Sequence, residues 1–146
     1  MTGSTVIGTG FVWEANEAAF VEGPSGVALG RNGTLYVVEP INSHITKIPD
    51  AISRRTAVED GTSPLSSGGW LNGPLGVAVA PDGDVIATNG GDGNAVEINA
   101  EGRQLAKVAL VRDGAGDLFG VTIGSGGGRL LFINDGTNAL DTAVAR

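Results

Sequence analysis

The chain repeats itself at an offset of 50 residues. Residues 23–29 (GPSGVAL) align with residues 73–79 (GPLGVAV), and residues 31–35 (RNGTL) fall on residues 81–85 (PDGDV) without a gap. A third, weaker copy runs through residues 118–123 (LFGVTI) and 129–135 (RLLFIND). Self-similarity at a nearly fixed spacing is the signature of stacked structural repeats. The chain is therefore expected to fold as a row of similar units.

Each copy has the pattern of short strands joined by tight turns. In the second copy, short apolar segments over 76–80, 84–89, 94–99 and 103–111 alternate with turn residues, and Gly is 25 of the 146 residues. No segment shows sustained apolar periodicity of 3.6 residues, which predicts an all-β fold with almost no helix. Four antiparallel strands every ~44–50 residues is the period of a β-propeller blade.

The copies are too few to close a ring. We expect one unit over residues 1–146, with blades at 23–60, 73–112 and 117–144 and a spare strand at 4–11. The fourth strand of the first blade is expected near 55–59, and the third blade lacks its outer strand. Closed propellers contain about four to eight blades. Either two chains form a six-bladed homodimer, in which each 4–11 strand completes the partner's third blade, or the chain is part of a longer propeller.

Charge and composition narrow the classes of partner. The net charge of −7, with no basic cluster beyond Arg54 and Arg55, disfavours nucleic acid and anionic membranes. The absence of Cys excludes disulfides and thiolate sites. The first residues lack the basic and then apolar pattern of a signal peptide. The compartment, whether bacterial cytoplasm, periplasm or exterior, stays open.

The motif at the first repeat resembles a known family. Residues 23–28 (GPSGVA), Gly33 and residues 35–37 (LYV) match a pattern that is similar to NHL repeats, which form six-bladed propellers in bacterial proteins. The segment 134–138 (NDGTN) resembles the last blade of uncharacterised propellers of this type, which implies a C-terminal half. The resemblance implies a blade architecture and leaves activity open, because propellers carry binding modules and enzymes on one scaffold.

Calcium-dependent gluconolactonases are more distant relatives by fold. Their opening Glu-Gly-Pro motif matches Glu22, Gly23 and Pro24, which implies Glu22 as a ligand for Ca²⁺. The resemblance also implies Asn and Asp ligands just before the glycines of the later inner strands. This chain departs from that pattern, because Leu75 and Phe119 stand before Gly76 and Gly120. Neither side chain offers the oxygen that a hard cation requires.

Two sets of polar residues recur in register around the expected axis. Glu22, Asn72 and, with a shift of one residue, Asp117 stand at the mouths of the inner strands, where they either hold Ca²⁺ or a polar ligand or cap turns. Glu39, Asn89 and Asn134, with the adjacent Asp135, end the second strands, where they either face a ligand or fix the following turn. His44 is the single histidine, and Trp70 lies in the connection between the first two blades, where it lines a pocket or fills a gap.

The sequence favours a noncatalytic binding or scaffold module that recognises a polar small molecule or a protein at the axial face. One alternative is a Ca²⁺-dependent hydrolase of the lactonase type. Another is a self-assembling propeller fragment without a ligand. The lack of Cys, the single His and the absence of a repeated carboxylate pair weigh against catalysis.

Overall fold

The computed structural model describes residues 3–17, 20–60, 64–124, 126 and 128–144. Their regular structure is almost entirely β-strand, with one 3₁₀ turn at Asp135–Thr137. The predicted all-β class is confirmed, and the strands form antiparallel sheets of the blade type. Within these residues, no helix has the length and apolar character needed to cross a membrane.

Three sheets follow one another along the chain, with strands numbered in chain order. Blade 1 contains β4 (Val27–Leu29), β5 (Leu35–Glu39), β6 (His44–Ile48) and β8 (Pro64–Ser67); blade 2 contains β9 (Pro74–Val79), β10 (Val85–Asn89), β11 (Asn94–Ile98) and β12 (Gln104–Ala109); and blade 3 contains β13 (Leu118–Ile123), β14 (Arg129–Asn134) and β15 (Ala139–Val144). Two small sheets join β1 (Gly8–Thr9) to β7 (Val58–Glu59) and β2 (Glu14–Asn16) to β3 (Phe20–Glu22).

The turn after each of the first two inner strands has the same construction. Gly33 and Gly83 have φ values of +80° and +103°, which glycine adopts without steric cost. In the first turn the Asn32 side chain accepts a hydrogen bond from the Thr34 amide at 3.0 Å, and in the second Asp82 accepts from the Asp84 amide at 3.2 Å. The sequence repeat is thus also a repeat of backbone geometry.

The main core lies in the joint between blades 1 and 2. Blade 1 contributes Tyr36, Val38 and Ile45, and blade 2 contributes an apolar row that includes Val77, Val85, Ala87, Val96 and Ile98. These positions alternate along their strands, as expected when one face of each sheet packs against its neighbour. Leu65 of β8 and Leu71 of the following connection close the outer part of the joint.

A glycine lets neighbouring inner strands approach closely. A Cβ atom built on Gly26 would lie 2.6 Å from the Leu75 carbonyl oxygen. One built on Gly76 would collide with the Phe119 carbonyl oxygen and the Thr88 hydroxyl. The Thr88 hydroxyl itself donates to that carbonyl at 2.7 Å, which ties blade 2 to blade 3. The inner strands can therefore crowd around an axis only where they lack side chains.

The outer strand of blade 1 differs from the expectation. Pro64–Ser67 pairs with β6, whereas the expected segment 55–59 contributes only β7, which lies in a separate two-stranded sheet. Leu65 supplies the buried apolar side chain that an outer strand needs in the joint. Arg54, just before the expected strand, instead donates from Nε to the Pro49 carbonyl at 2.8 Å and fixes the turn after β6.

The N-terminal strand also differs from the expectation that residues 4–11 complete a partner's third blade. In the single chain, Gly8–Thr9 pairs in parallel with Val58–Glu59. Ile7 and Phe11 pack against Val37, Ile48 and Ala51 on the outward side of blade 1. The segment is therefore placed beside its own first blade, because two apolar side chains find cover there.

The glycine at the joint between blades 2 and 3 gives a stability test. Gly76→Ala places a methyl group against the Phe119 backbone, so we expect the free energy of unfolding to fall by about 1–3 kcal/mol, as for other overpacked sites. Gly128→Ala is the matched control, since a Cβ there meets nothing within 4 Å. Urea unfolding measures both. Equal stability of the two variants would contradict the close approach.

Candidate functional site

The predicted site residues gather on one face of the blades, here called the front face. On this face the chain enters the inner strands through residues 22–26, 72–75 and 117–118, and the second strands end. Val27 pairs with Val37, and Thr88 pairs with Gly76, so Glu39 and Asn89 lie beside the starts of the inner strands. These polar residues therefore lie near the entrances to the inner strands, and their hydrogen bonds decide what they do.

Glu39 is fully buried and holds the turn that follows it. Its two carboxylate oxygens accept the backbone amides of Ile41 at 2.9 Å and Asn42 at 2.8 Å. One of these oxygens also lies 3.5 Å from Nδ1 of His44. Both oxygens thus serve the backbone, which supports the turn-fixing interpretation of this residue.

His44 lies between two carboxylates. Its Nε2 is 3.0 Å from Asp60, whose carboxylate also accepts the hydroxyl of Thr46. Through Asp60, these hydrogen bonds hold the segment that follows β6 against blade 1. His44 has no nucleophile among its described hydrogen-bond partners, so the geometry gives it a structural role.

Asn89 occupies in blade 2 the position of Glu39 in blade 1, but it makes different hydrogen bonds. Its Oδ1 accepts the Asn72 amide at 3.1 Å, and its Nδ2 donates to the Trp70 carbonyl at 2.8 Å and to Asp92 at 3.1 Å. These bonds bind the chain that enters β9 to the turn that leaves β10. The Trp70 backbone amide also donates to Gln104, while its indole stays partly exposed.

Burial would raise the pKa of Asp92, but hydrogen bonds outweigh that effect. The side chains of Asn94 and Asn89, the Asn94 amide and the side chain of Asn72 stabilise the carboxylate and hold its pKa below the ordinary value of 3.8. Asn72, predicted as a metal ligand, is therefore already engaged with a neighbouring carboxylate.

Asn134 occupies the equivalent position in blade 3 with a different outcome. Its Nδ2 donates to Asp141 at 3.0 Å, whereas its buried Oδ1 has no partner among the residues that the structure describes. Asp135 is exposed and donates its amide to the Asp117 carbonyl at 2.7 Å. Asp117 in turn lies close against Gly136, so it packs on the turn after β14.

The structure does not assemble an acidic metal centre from the described residues. Within them, no group of three or more His, Asp or Glu side chains is arranged to hold a metal. The predicted set of Glu22, Asn72 and Asp117 includes an amide and is not tested by that finding, so it stays a prediction. Glu22 ends β3, directly opposite Glu14.

The opposite side, here called the back face, contains grooves that the sequence did not single out. A groove of about 450 Å³ is lined by Leu29, Val79 and Ile123, with Arg31, Ala80, Pro81, Gly124 and Gly126 around them. Leu29, Val79 and Ile123 end the three inner strands at equivalent positions, so the groove lies at the expected axis. A second groove of about 350 Å³ adjoins it and also includes Arg31, together with Asn32, Tyr36 and Asp82.

Arg31 gives this back-face groove its charge. No carboxylate lies within ion-pair distance of its guanidinium in the described part of the chain. A signal was present in the sequence, because Leu29 and Val79 align at the 50-residue offset as apolar strand ends. Arg31 aligns with Pro81, however, so the charge is not part of the repeat and was missed.

No protein-family model matches the chain, and no curated protein matches it in sequence. Among solved structures, a virginiamycin B lyase from Staphylococcus aureus is 17% identical with a TM-score of 0.62, covering 93% of this chain and 46% of its own. A calcium-binding regucalcin from Agrobacterium tumefaciens is 19% identical (TM-score 0.58, 77% and 40% covered). A gluconolactonase from Xanthomonas campestris is 21% identical (TM-score 0.58, 77% and 35% covered).

These likenesses show a fold of the propeller type. The chain spans less than half the length of each of these solved structures. At such identities they carry no activity to this chain, and none of them is specific for NHL repeats.

The role of Glu39 can be tested by removing its carboxylate. Glu39→Ala leaves two backbone amides without their acceptor and removes the carboxylate beside His44, so we expect a loss of about 2–4 kcal/mol in the free energy of unfolding. Glu101→Ala, at an exposed turn, is the control and should change stability by less than about 0.5 kcal/mol. A Glu39→Ala variant as stable as the control would rule out this role.

The lowered pKa of Asp92 predicts that the stability of the fold depends on pH. Because its pKa is lowered in the folded state, its carboxylate stabilises the fold above the unfolded value of 3.8, and this contribution is lost as the pH falls below that value. Wild type should exceed Asp92→Asn in stability at pH 7, and the difference should shrink below pH 3.8. Chemical unfolding across this range measures it, with exposed Glu17→Gln as the control. A difference that is constant with pH would be inconsistent with the lowered pKa.

Proposed function

We propose that this chain is a noncatalytic binding module of the NHL-type propeller class. Its ligand is a small molecule with an apolar body and a negatively charged group, bound at the axial groove of the back face. The observation that carries the proposal is that Arg31 lines the same groove as the apolar strand ends Leu29, Val79 and Ile123.

The groove has the size of a small-molecule site, and its lining is of mixed polar and apolar character. Its volume of about 450 Å³ falls within the range of roughly 300–1,000 Å³ that ligand pockets occupy. Such pockets combine an apolar lining with a few polar groups that fix orientation. An arginine fork offers two parallel donors to a carboxylate, which makes a carboxylate a suitable head group.

Arg31 is a local positive charge on a protein whose net charge is −7. An acidic protein repels anions over most of its surface, so an anionic ligand is bound only where a local positive group outweighs the general field. Arg31 is such a group, because it lines both back-face grooves and has no ion-pair partner in the described chain.

The lactonase alternative has less support. Leu75 and Phe119 stand where that family places oxygen ligands, and Asn72 is hydrogen-bonded to Asp92. The likeness to a gluconolactonase structure is of fold alone. A binding role at the back face makes no demand on Glu39 and Asn89, which are occupied by a turn and by the incoming chain on the front face.

Benzoate and benzamide form a matched pair of probes for this proposal. They share a ring and differ in charge, so ligand-observed NMR should detect binding of benzoate and weaker binding of benzamide. Arg31→Gln should weaken benzoate binding by about tenfold or more, since it removes a charge-assisted hydrogen bond. Arg112→Gln, an exposed site beyond β12, should leave it unchanged. Equal binding of both probes, or unchanged benzoate binding to Arg31→Gln, would disprove the proposed site.

A further inference from the structure

The row of three blades ends in two apolar surfaces. The surface of blade 1 that faces away from blade 2, here called the leading flank, consists of Val27, Leu29, Leu35 and Val37. Val27 is 62% exposed and Leu29 is 50% exposed. The surface of blade 3 that faces away from blade 2, here called the trailing flank, consists of Leu131, Ile133, Leu140 and Val144; of these, Leu140 is 70% exposed and Ile133 is 47% exposed.

The leading flank is a second copy of a surface that is already used inside the chain. At the 50-residue offset its four residues fall on Val77, Val79, Val85 and Ala87. Val77, Val85 and Ala87 are buried, and with Val79 they pack in the joint with blade 1. The repeat therefore builds on blade 1 the kind of surface that receives a preceding blade.

The trailing flank matches the other half of the same joint. Val37 pairs with Val27 and Phe132 pairs with Val121, which makes Val38 and Ile133 equivalent. Val38 pairs with Ile45, as Ile133 pairs with Leu140. Val38 and Ile45 are the blade 1 residues that pack against blade 2. The two flanks are thus the two halves of one interface.

Gly120, the glycine of the inner strand of blade 3, independently indicates that another blade packs on the trailing flank. Gly26 and Gly76 each lie against the carbonyl of the next inner strand, at Leu75 and Phe119. Gly120 is the equivalent residue of blade 3, yet a Cβ built there meets only Ile133 of its own blade, at 3.4 Å. Gly120 thus lacks a side chain, as Gly26 and Gly76 do, although no backbone of the described chain lies against it.

We infer that a second copy of this chain covers both flanks, with the trailing flank of each copy packed on the leading flank of the other. Two such contacts close two rows of three blades into one ring. The flanks complement each other within one sequence, so identical copies suffice. This inference does not depend on the proposed ligand.

The N-terminal segment borders the contact. Ile7 and Phe11 cover Val37 and Ile48, while Val27 and Leu29 on the inner strand stay open. The segment is held to β7 by a pairing of two residues, Gly8 with Val58 and Thr9 with Glu59. Closure therefore requires the partner's trailing flank either to pack on Val27 and Leu29 beside this segment or to displace it from Val37.

Sedimentation equilibrium of the full chain tests the inference, with wild type expected at the mass of two chains. Leu140→Lys places a charge in the contact, and Gly120→Ala fills the space that the partner's inner strand needs. Each should weaken self-association by about 100-fold or more, because each acts at both contacts of the ring. Both positions are open in the single chain, so the circular dichroism spectrum should not change.

Val108→Lys is the matched control. Val108 is exposed on β12, outside both flanks, so this variant should remain dimeric. A monomeric wild type at about 100 µM would overturn the inference, and so would a dimer that survives both flank substitutions. An open polymer would overturn closure at two copies. Benzoate binding is measured separately by NMR, so failure of the ligand proposal and failure of the dimer are distinguishable.

Discussion

The fold depends on the close approach of neighbouring inner strands. At Gly26 and Gly76 the backbone of the next blade occupies the space in which any side chain would stand. This approach leaves room for larger side chains farther from the axis, where Tyr36, Val38 and Ile45 fill the widening gap between blades 1 and 2. A joint that is narrow near the axis and wide outside it makes successive sheets fan around that axis.

The blade architecture could be predicted from sequence because its determinants are local and repeated. The turn glycines Gly33 and Gly83 and the strand glycines Gly26 and Gly76 recur at one offset, and each reports a backbone constraint. The outer strand of blade 1 could not be predicted in the same way. Its position depends on which part of the long segment after β6 pairs back with that strand. The candidates are residues 55–59 and 64–67, and only the packing of Leu65 in the joint between blades 1 and 2 favours the second.

The candidate site shows a different limit of sequence reasoning. Glu39, Asn89 and Asn134 each end the second strand of a blade, but their contacts depend on what each finds nearby. Glu39 accepts two turn amides, Asn89 accepts the amide of Asn72, and the Asn134 oxygen has no partner in the described residues. The repeat determines where these residues lie in their strands. The hydrogen-bond partners of Glu39 and Asn89 lie in the segments between strands and blades, whose sequences are not repeated.

Leu29 links the proposed ligand site to the proposed assembly. It lines the axial groove with Val79 and Ile123, and it also belongs to the leading flank. In the joint between blades 1 and 2, Val79 lies beside the end of the preceding inner strand at Leu29. The same geometry at ring closure brings the partner's Ile123 beside Leu29 and walls the open side of the groove. If both proposals hold and closure tightens ligand binding, the ligand strengthens closure by the same factor through linkage.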